Sequence, residues 1–238
     1  MANNAKHPQF NLLLTRPKAG SDAFWSALGA DVRAALTPII SPLISIVPLT
    51  PQLRPFHAAI FTSANGVQNS PQGDQRTAYC VGAMTTKAAL AAGWNAVQKG
   101  ETADELVQGL LDADIVGPLV HFSGVHTRGD IAERLSSKGL KIGRIPVYDQ
   151  KFMSFSAQAV DATRSSFPLL VPLFSPRTAD RFATLYSGTA ELHIIALSED
   201  VADHVRDLDY VSKTVLDQPR RLAMVEAVEM HTLHPRLG

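Results

Sequence analysis

A short apolar run, a few small polar residues and then a helical pattern follow one another six times along the chain, the succession that strand-turn-helix units of an α/β protein produce. The runs are residues 11–14, 58–61, 79–81, 119–122, 169–174 and 193–197. Behind them stand the turns Thr15-Arg16-Pro17, Thr62-Ser63-Ala64-Asn65-Gly66, Gly82-Ala83-Met84-Thr85-Thr86, Ser123-Gly124, Ser175-Pro176-Arg177 and Ser198-Glu199-Asp200. Helices are predicted over 21–28, in an Ala-rich stretch ending at Gly93, and from about Asp130 to Lys138, with Gly29, Gly93 and Gly139 as their C-terminal stops. Thr102 and Glu105 have the spacing of a capping box, so a further helix starts there.

The six units sort into two similar triplets, the first unit pairing with the fourth and the second with the fifth, a duplication of pattern and not of close identity. Two extended, proline-bearing stretches separate them, 38–42 and 145–150. Set side by side, these make the middle of the chain a module inserted into another. The outer α/β domain is then expected from residues 1–38 and 150–238, and the inserted α/β domain from 42–148. A chain of 238 residues accommodates two modules of roughly 100 to 150 residues.

The 22 basic residues are balanced by 22 acidic ones, which excludes the charge footprint of a nucleic-acid or polybasic membrane-binding protein. Any anionic ligand must be met by a local cluster. Cys80 is the sole cysteine, so no intrachain disulfide is possible, and its apolar neighbours predict a buried, inert thiol. Residues 1–9 lack the apolar stretch of a signal peptide, and no window reaches the ~20 apolar residues of a membrane span; a cytoplasmic protein is expected.

No Gly-x-Gly-x-x-Gly follows a strand, and neither a Gly-x-x-x-x-Gly-Lys-Ser/Thr loop nor a Gly-x-Ser-x-Gly elbow occurs. The eight histidines are scattered, and His121 and His126, flanking Ser123-Gly124, read as surface or supporting residues. No metal and no cofactor is expected. What remains is the set of polar turns, which offer hydroxyls and backbone amides near helix N-termini where carboxylate or phosphate is favoured. Plain helix capping accounts for any one of them. Their recurrence beside Arg16, Lys87, Arg128, Arg177 and Arg181 favours an anion-lined cleft.

Residues 12–17 (Leu-Leu-Leu-Thr-Arg-Pro), residues 60–67, the Val81-Gly82 turn with Thr85 before an Ala-rich helix, Pro146-Val147-Tyr148 and Phe174-Ser175-Pro176 together resemble uroporphyrinogen-III synthase, in order over nearly the whole chain. The resemblance implies two similar flavodoxin-like α/β domains with parallel sheets, joined by a two-stranded linker, with the substrate in the cleft between them. It also implies the reaction: hydroxymethylbilane loses its terminal hydroxyl as water, the last pyrrole ring is inverted, and the macrocycle closes to uroporphyrinogen III without metal or organic cofactor. Left free, the bilane closes to the non-inverted isomer, so the enzyme must chiefly impose a folded geometry.

Eight carboxylates on that substrate give the polar turns a task. The expected contacts are Arg16, Thr62, Ser63, Gly82, Thr85, Thr86, Ser123, Arg128, Ser175 and Arg177. By match to the family pattern Tyr148 faces the departing hydroxyl as hydrogen-bond donor or general acid, a linker tyrosine half-buried against a domain being the plainer alternative. Two departures stand out. Ser198-Glu199-Asp200 replaces a turn richer in hydroxyls and is expected to point away from a polyanion, and residues 231–238 have no counterpart and are expected to be disordered. The partners implied are the bilane, a transient hand-over from hydroxymethylbilane synthase, and no second copy of the chain. A two-domain protein that closes on an anion without catalysis is the alternative from another class, and a flavodoxin-like electron-transfer domain a further one.

Overall fold

The computed structural model describes residues 10–113, 115, 117–127, 129–218 and 220–233. The first stretch forms β1 (Phe10–Leu14), α1 (Lys18–Ala27), α2 (Ala30–Ala34), β2 (Leu36–Ile40) and β3 (Ile44–Pro48). Then come β4 (Ala58–Phe61), α3 (Ala64–Gln68), β5 (Thr77–Cys80), α4 (Ala83–Ala91), β6 (Asn95–Gln98), α5 (Ala103–Leu111), β7 (Leu119–Gly124), α6 (Ile131–Ser137) and β8 (Ile142–Phe152). The chain ends with α7 (Ala157–Thr163), β9 (Leu169–Leu173), α8 (Pro176–Leu185), β10 (Leu192–Ala196), α9 (Glu199–Asp203), β11 (Ser212–Val215) and α10 (Arg221–Leu233). They divide into two compact units: one holds the described residues up to Ser45 and those from Phe152 on, the other is Ile46–Lys151. The chain passes between them within β3 and within β8. Pro38, placed by its sequence in a crossing, lies instead in β2, an edge strand, the position in a sheet where proline is tolerated.

The first unit holds a parallel sheet of order β11-β10-β9-β1-β2. Numbered within the unit this is 2-1-3-4-5, the flavodoxin-like order, with its switch point between β1 and β9. Both faces are covered. Leu13, Val171, Leu173 and Ile194 pack with Ala159, Ala179 and Phe182 on one side, while Leu12, Leu14, Leu170 and Ile195 pack with Phe24, Met224 and Val228 on the other. Burial on two faces is why these strands read as unbroken apolar runs and not as alternating ones. Pro172 sits inside the central strand β9, but the ladder to β1 has already stopped at Leu170.

In the second unit the order is β3-β8-β7-β4-β5-β6, and β4, β5, β6, β7 and β8 pair in parallel. Without β3 this is 3-2-1-4-5, switching between β4 and β7. Phe61, Phe122 and Trp94 fill one face, and Ile60, Leu119, Leu106 and Ile131 the other. Because β1 and β4 each begin a sheet beside its switch point, the counterpart of the first unit of sequence is the second and not the fourth; the expected triplet pairing does not hold.

Local chemistry decides the remaining differences. Gly93 (φ +78°) and Gly139 (φ +94°) are left-handed helix stops, but Gly29 has φ −59°, starts α2 and donates its N–H to Glu229 Oε1 at 2.7 Å. At α5, Thr102 Oγ1 accepts the Glu105 N–H at 3.2 Å, while Glu105 Oε2 reaches one residue past the cap to the Glu101 N–H at 2.8 Å. Cys80 is fully buried, and desolvation raises its thiol pKa to about 11. His231 to Leu233 form the last turn of α10 and not a disordered tail; 234–238 lie outside the described residues. No helix among the described residues is long and apolar enough to cross a membrane.

Candidate functional site

In the second unit the carboxyl ends of β4 and β7 converge on Tyr148 of β8. β8 gains one residue relative to β7 after the Ser123–Pro146 pair, so that Gly124 stands opposite Tyr148. That irregularity follows Pro146, as bulges beside proline do, and it turns the phenol ring flat against Gly124. A Cβ on Gly124 would lie 2.8 Å from Tyr148 Cζ, so only glycine admits the ring. Tyr148 OH lies 3.3 Å from Ser63 Oγ, and either oxygen can be the donor. Ser63 caps α3 by accepting the Gly66 N–H at 3.2 Å, and Gly66 itself must be glycine because a Cβ there would lie 2.8 Å from Phe122 O. Two glycines thus let α3 and β7 close around one phenol-serine pair. Thr62 is half-buried beside it.

Ser123 and Gly124, read from sequence as a turn, are the last residues of β7. Ser123 is buried and accepts the Arg144 Nε–H at 3.1 Å, while Arg144 Nη2 donates to Gly124 O at 2.8 Å and to Val125 O. Ser123 therefore supports the strand end through Arg144. His121 lies on the same strand, buried, with neither ring nitrogen hydrogen-bonded; desolvation first and Arg144 second lower its pKa to about 4. It is a neutral core residue, not a surface one. His126 Nε2 lies 3.7 Å from Asp149 Oδ1.

Thr85 and Thr86 fall inside α4 and not in the turn before it. Thr85 is buried, and Thr86 Oγ1 donates back to Gly82 O at 3.0 Å, a local bond that helix hydroxyls commonly make. Gly82 caps α4 at φ +74°, a conformation that needs glycine.

The corresponding end of the first unit is built of cations on aromatic faces. The Arg16 guanidinium lies 4.4 Å over the Phe174 ring, and burial, with the charge of Arg221, lowers its pKa. Arg177 lies 4.4 Å over Phe152, with Arg181 at 5.5 Å from the same ring and its Nε donating to Met153 O. Ser175 caps α8, accepting the Thr178 N–H at 3.3 Å and donating to Thr178 Oγ1 at 2.9 Å. Ser198 starts α9 without a side-chain cap bond.

Arg128 lies outside the described residues, and Lys87 is exposed on α4. Sequence reading missed Thr178, Arg221 and Arg144. The Ser175-x-x-Thr178 spacing was available as a signal for the first; nothing local could have brought Arg221 to Arg16 across 205 residues of chain or Arg144 to the end of β7. Among the described residues no group of three His, Cys, Asp or Glu side chains could hold a metal ion.

A family model described as uroporphyrinogen-III synthase HemD matches residues 30–226. Among solved structures, uroporphyrinogen-III synthetase from Helicobacter pylori superimposes with a TM-score of 0.65 at 15% identity, covering 92% of this chain and 97% of that one. A selenomethionine variant of uroporphyrinogen III synthase from the extreme thermophile Thermus thermophilus gives 0.52 at 12% identity, covering 95% of this chain and 100% of that one. At such identities the likeness is one of fold. No curated protein matches the chain in sequence.

Proposed function

The chain belongs to the uroporphyrinogen-III synthase family and serves tetrapyrrole biosynthesis as an enzyme, and we propose that it acts as a cyclising hydro-lyase on hydroxymethylbilane. The observation behind that chemistry is the hydroxyl pair of Tyr148, within β8, and Ser63, just after β4, 3.3 Å apart. Dehydration breaks a C–O bond with the electron pair leaving on oxygen, and that oxygen needs a proton or a strong donor. Tyr148 OH supplies the hydrogen bond, with Ser63 as the partner that can return one. Arg16 and Arg177, each resting on an aromatic face, take substrate carboxylates, joined by Thr178 as the hydroxyl Ser175 bonds. Ser123, Thr85 and Thr86 shape the strand and helix ends behind these groups.

We place the enzyme in the cytoplasm, as a monomer of two separately folding domains that receives its substrate from hydroxymethylbilane synthase. The test is direct. Freshly generated hydroxymethylbilane should be converted mainly to uroporphyrinogen III, read by isomer analysis after oxidation to the porphyrin. Formation of the non-inverted isomer alone, by protein shown to be folded, would falsify the proposal.

A further inference from the structure

Tyr148 lies toward the carboxyl end of the second sheet; at the other end, where β7 and β8 begin, a cleft of about 930 Å³ opens between Phe56, Ile142, Arg54, Lys141 and Arg144. A smaller cleft of about 480 Å³ shares Lys141 with it and adds Lys138. Among the described residues no Asp or Glu lines either one. In a chain whose charges balance, that is a local excess of cations around an apolar floor. The side chains of Arg54 and Lys141 make no hydrogen bond or ion pair among the described residues. The volume is that of small-molecule sites, which are typically apolar with a few placed polar groups.

We propose that this cleft is a second ligand site, for a flat apolar ring system bearing one or two carboxylate, sulfonate or phosphate groups. The ring lies on Ile142 beside Phe56, over whose ring Arg76 already sits at 4.5 Å, and the anionic group engages Arg54 and Lys141. Arg144 makes the site more than a store. Arg144 is one of the residues lining the cleft, and its Nε and Nη2 hold Ser123, Gly124 and Val125. Those residues back Tyr148, since Gly124 underlies the ring and the Val125 N–H donates to Tyr148 O at 2.9 Å. An anion that draws Arg144 toward the cleft weakens its hold on the strand end, and so loosens the seat of Tyr148. The consequence for turnover rests on the role proposed for Tyr148; the binding does not.

The probe for a test is 1-anilinonaphthalene-8-sulfonate, an aromatic anion of this class. The chain has two tryptophans, and in Trp25→Phe only Trp94 remains, stacked on Phe56 with centroids 6.2 Å apart. Energy transfer from Trp94 should report one bound probe per chain. Arg54→Glu combined with Lys141→Glu should weaken binding by about tenfold or more, because two attractive charges become repulsive. Should that pair fail to fold by thermal unfolding, Arg54→Gln with Lys141→Gln takes its place, with a smaller loss. Arg16→Ala should leave the affinity unchanged. Bound probe should also speed hydrogen exchange at the Val125 amide. Affinity that survives both charge variants, or that is lost in Arg16→Ala, overturns the site, and unchanged exchange at Val125 overturns the coupling. None of these readouts involves turnover, so they stand or fall apart from the enzymatic assignment.

Discussion

Ser63 and Ser175 play the same local part at different places in the two sheets, each following a buried strand, β4 or β9, and capping the helix behind it. Their backbones nearly coincide in conformation, at φ −155°, ψ 151° and φ −153°, ψ 146°, and each accepts the N–H three residues on. The difference lies in what stands opposite. Ser63 meets a phenol held on a glycine, whereas Ser175 bonds a threonine within its own first helical turn. The arginines near these serines differ as well: Arg16 and Arg177 lie over aromatic faces in the first unit, while Arg144 in the second is tied to backbone carbonyls. Strand-helix physics repeats the cap, because free amides there need an acceptor. Long-range topology alone decides whether the capping hydroxyl becomes part of a chemical group.

If the second unit supplies the donor and the first supplies charge, variants in each should fail differently. Tyr148→Phe should give the largest effect, lowering kcat by roughly ten- to a thousandfold while leaving KM nearly unchanged, as loss of a donor used mainly in the transition state does. Steady-state kinetics with fresh hydroxymethylbilane decides it; an unaltered kcat removes Tyr148 from the mechanism without touching the family assignment. Next in size, Arg16→Ala or Arg177→Ala should raise KM about severalfold with little change in kcat, and added salt should reproduce part of that rise in the parent enzyme by screening exposed charge. A KM indifferent to salt and to both substitutions would erase the contrast between the units.

How far the sequence announced this arrangement depends on whether the cause is local. The buried runs at β1, β4, β7, β9 and β10 were legible because a strand covered on both faces is largely apolar along its length. The short strands β2, β6 and β11 were not, since they are the partly exposed edges where that requirement lapses. Thr85 and Thr86 were assigned to a turn because hydroxyls suggest caps, yet Gly82 at positive φ makes that cap without a side chain. Tyr148 could be singled out by family resemblance, but its seat could not. The extra residue after Pro146, the glycine beneath the ring and the Arg144 fork join segments that the chain itself keeps apart.

The smallest effect separates the two serines themselves. Alanine at either position removes one accepted N–H bond from a helix start, a loss of about 1 kcal/mol, so Ser63→Ala and Ser175→Ala should lower thermal stability to a similar degree. α8, at ten residues with Pro176 already fixing its first turn, has other support, and α3, at five residues, has less; the Ser63 variant should therefore be the somewhat less stable of the two. Turnover should split them more cleanly. Ser63→Ala leaves the Tyr148 hydroxyl without its 3.3 Å partner and should reduce kcat by less than Tyr148→Phe does, whereas Ser175→Ala frees the Thr178 hydroxyl and should leave kcat where it was. Combining Ser63→Ala with Tyr148→Phe gives the sharper measurement. If the two hydroxyls act as one donor pair, the double variant should be barely slower than Tyr148→Phe alone, since groups that act as a unit are not additive. Multiplicative losses would mean that Ser63 and Tyr148 meet the substrate separately, and that the 3.3 Å contact serves only to hold the ring in place.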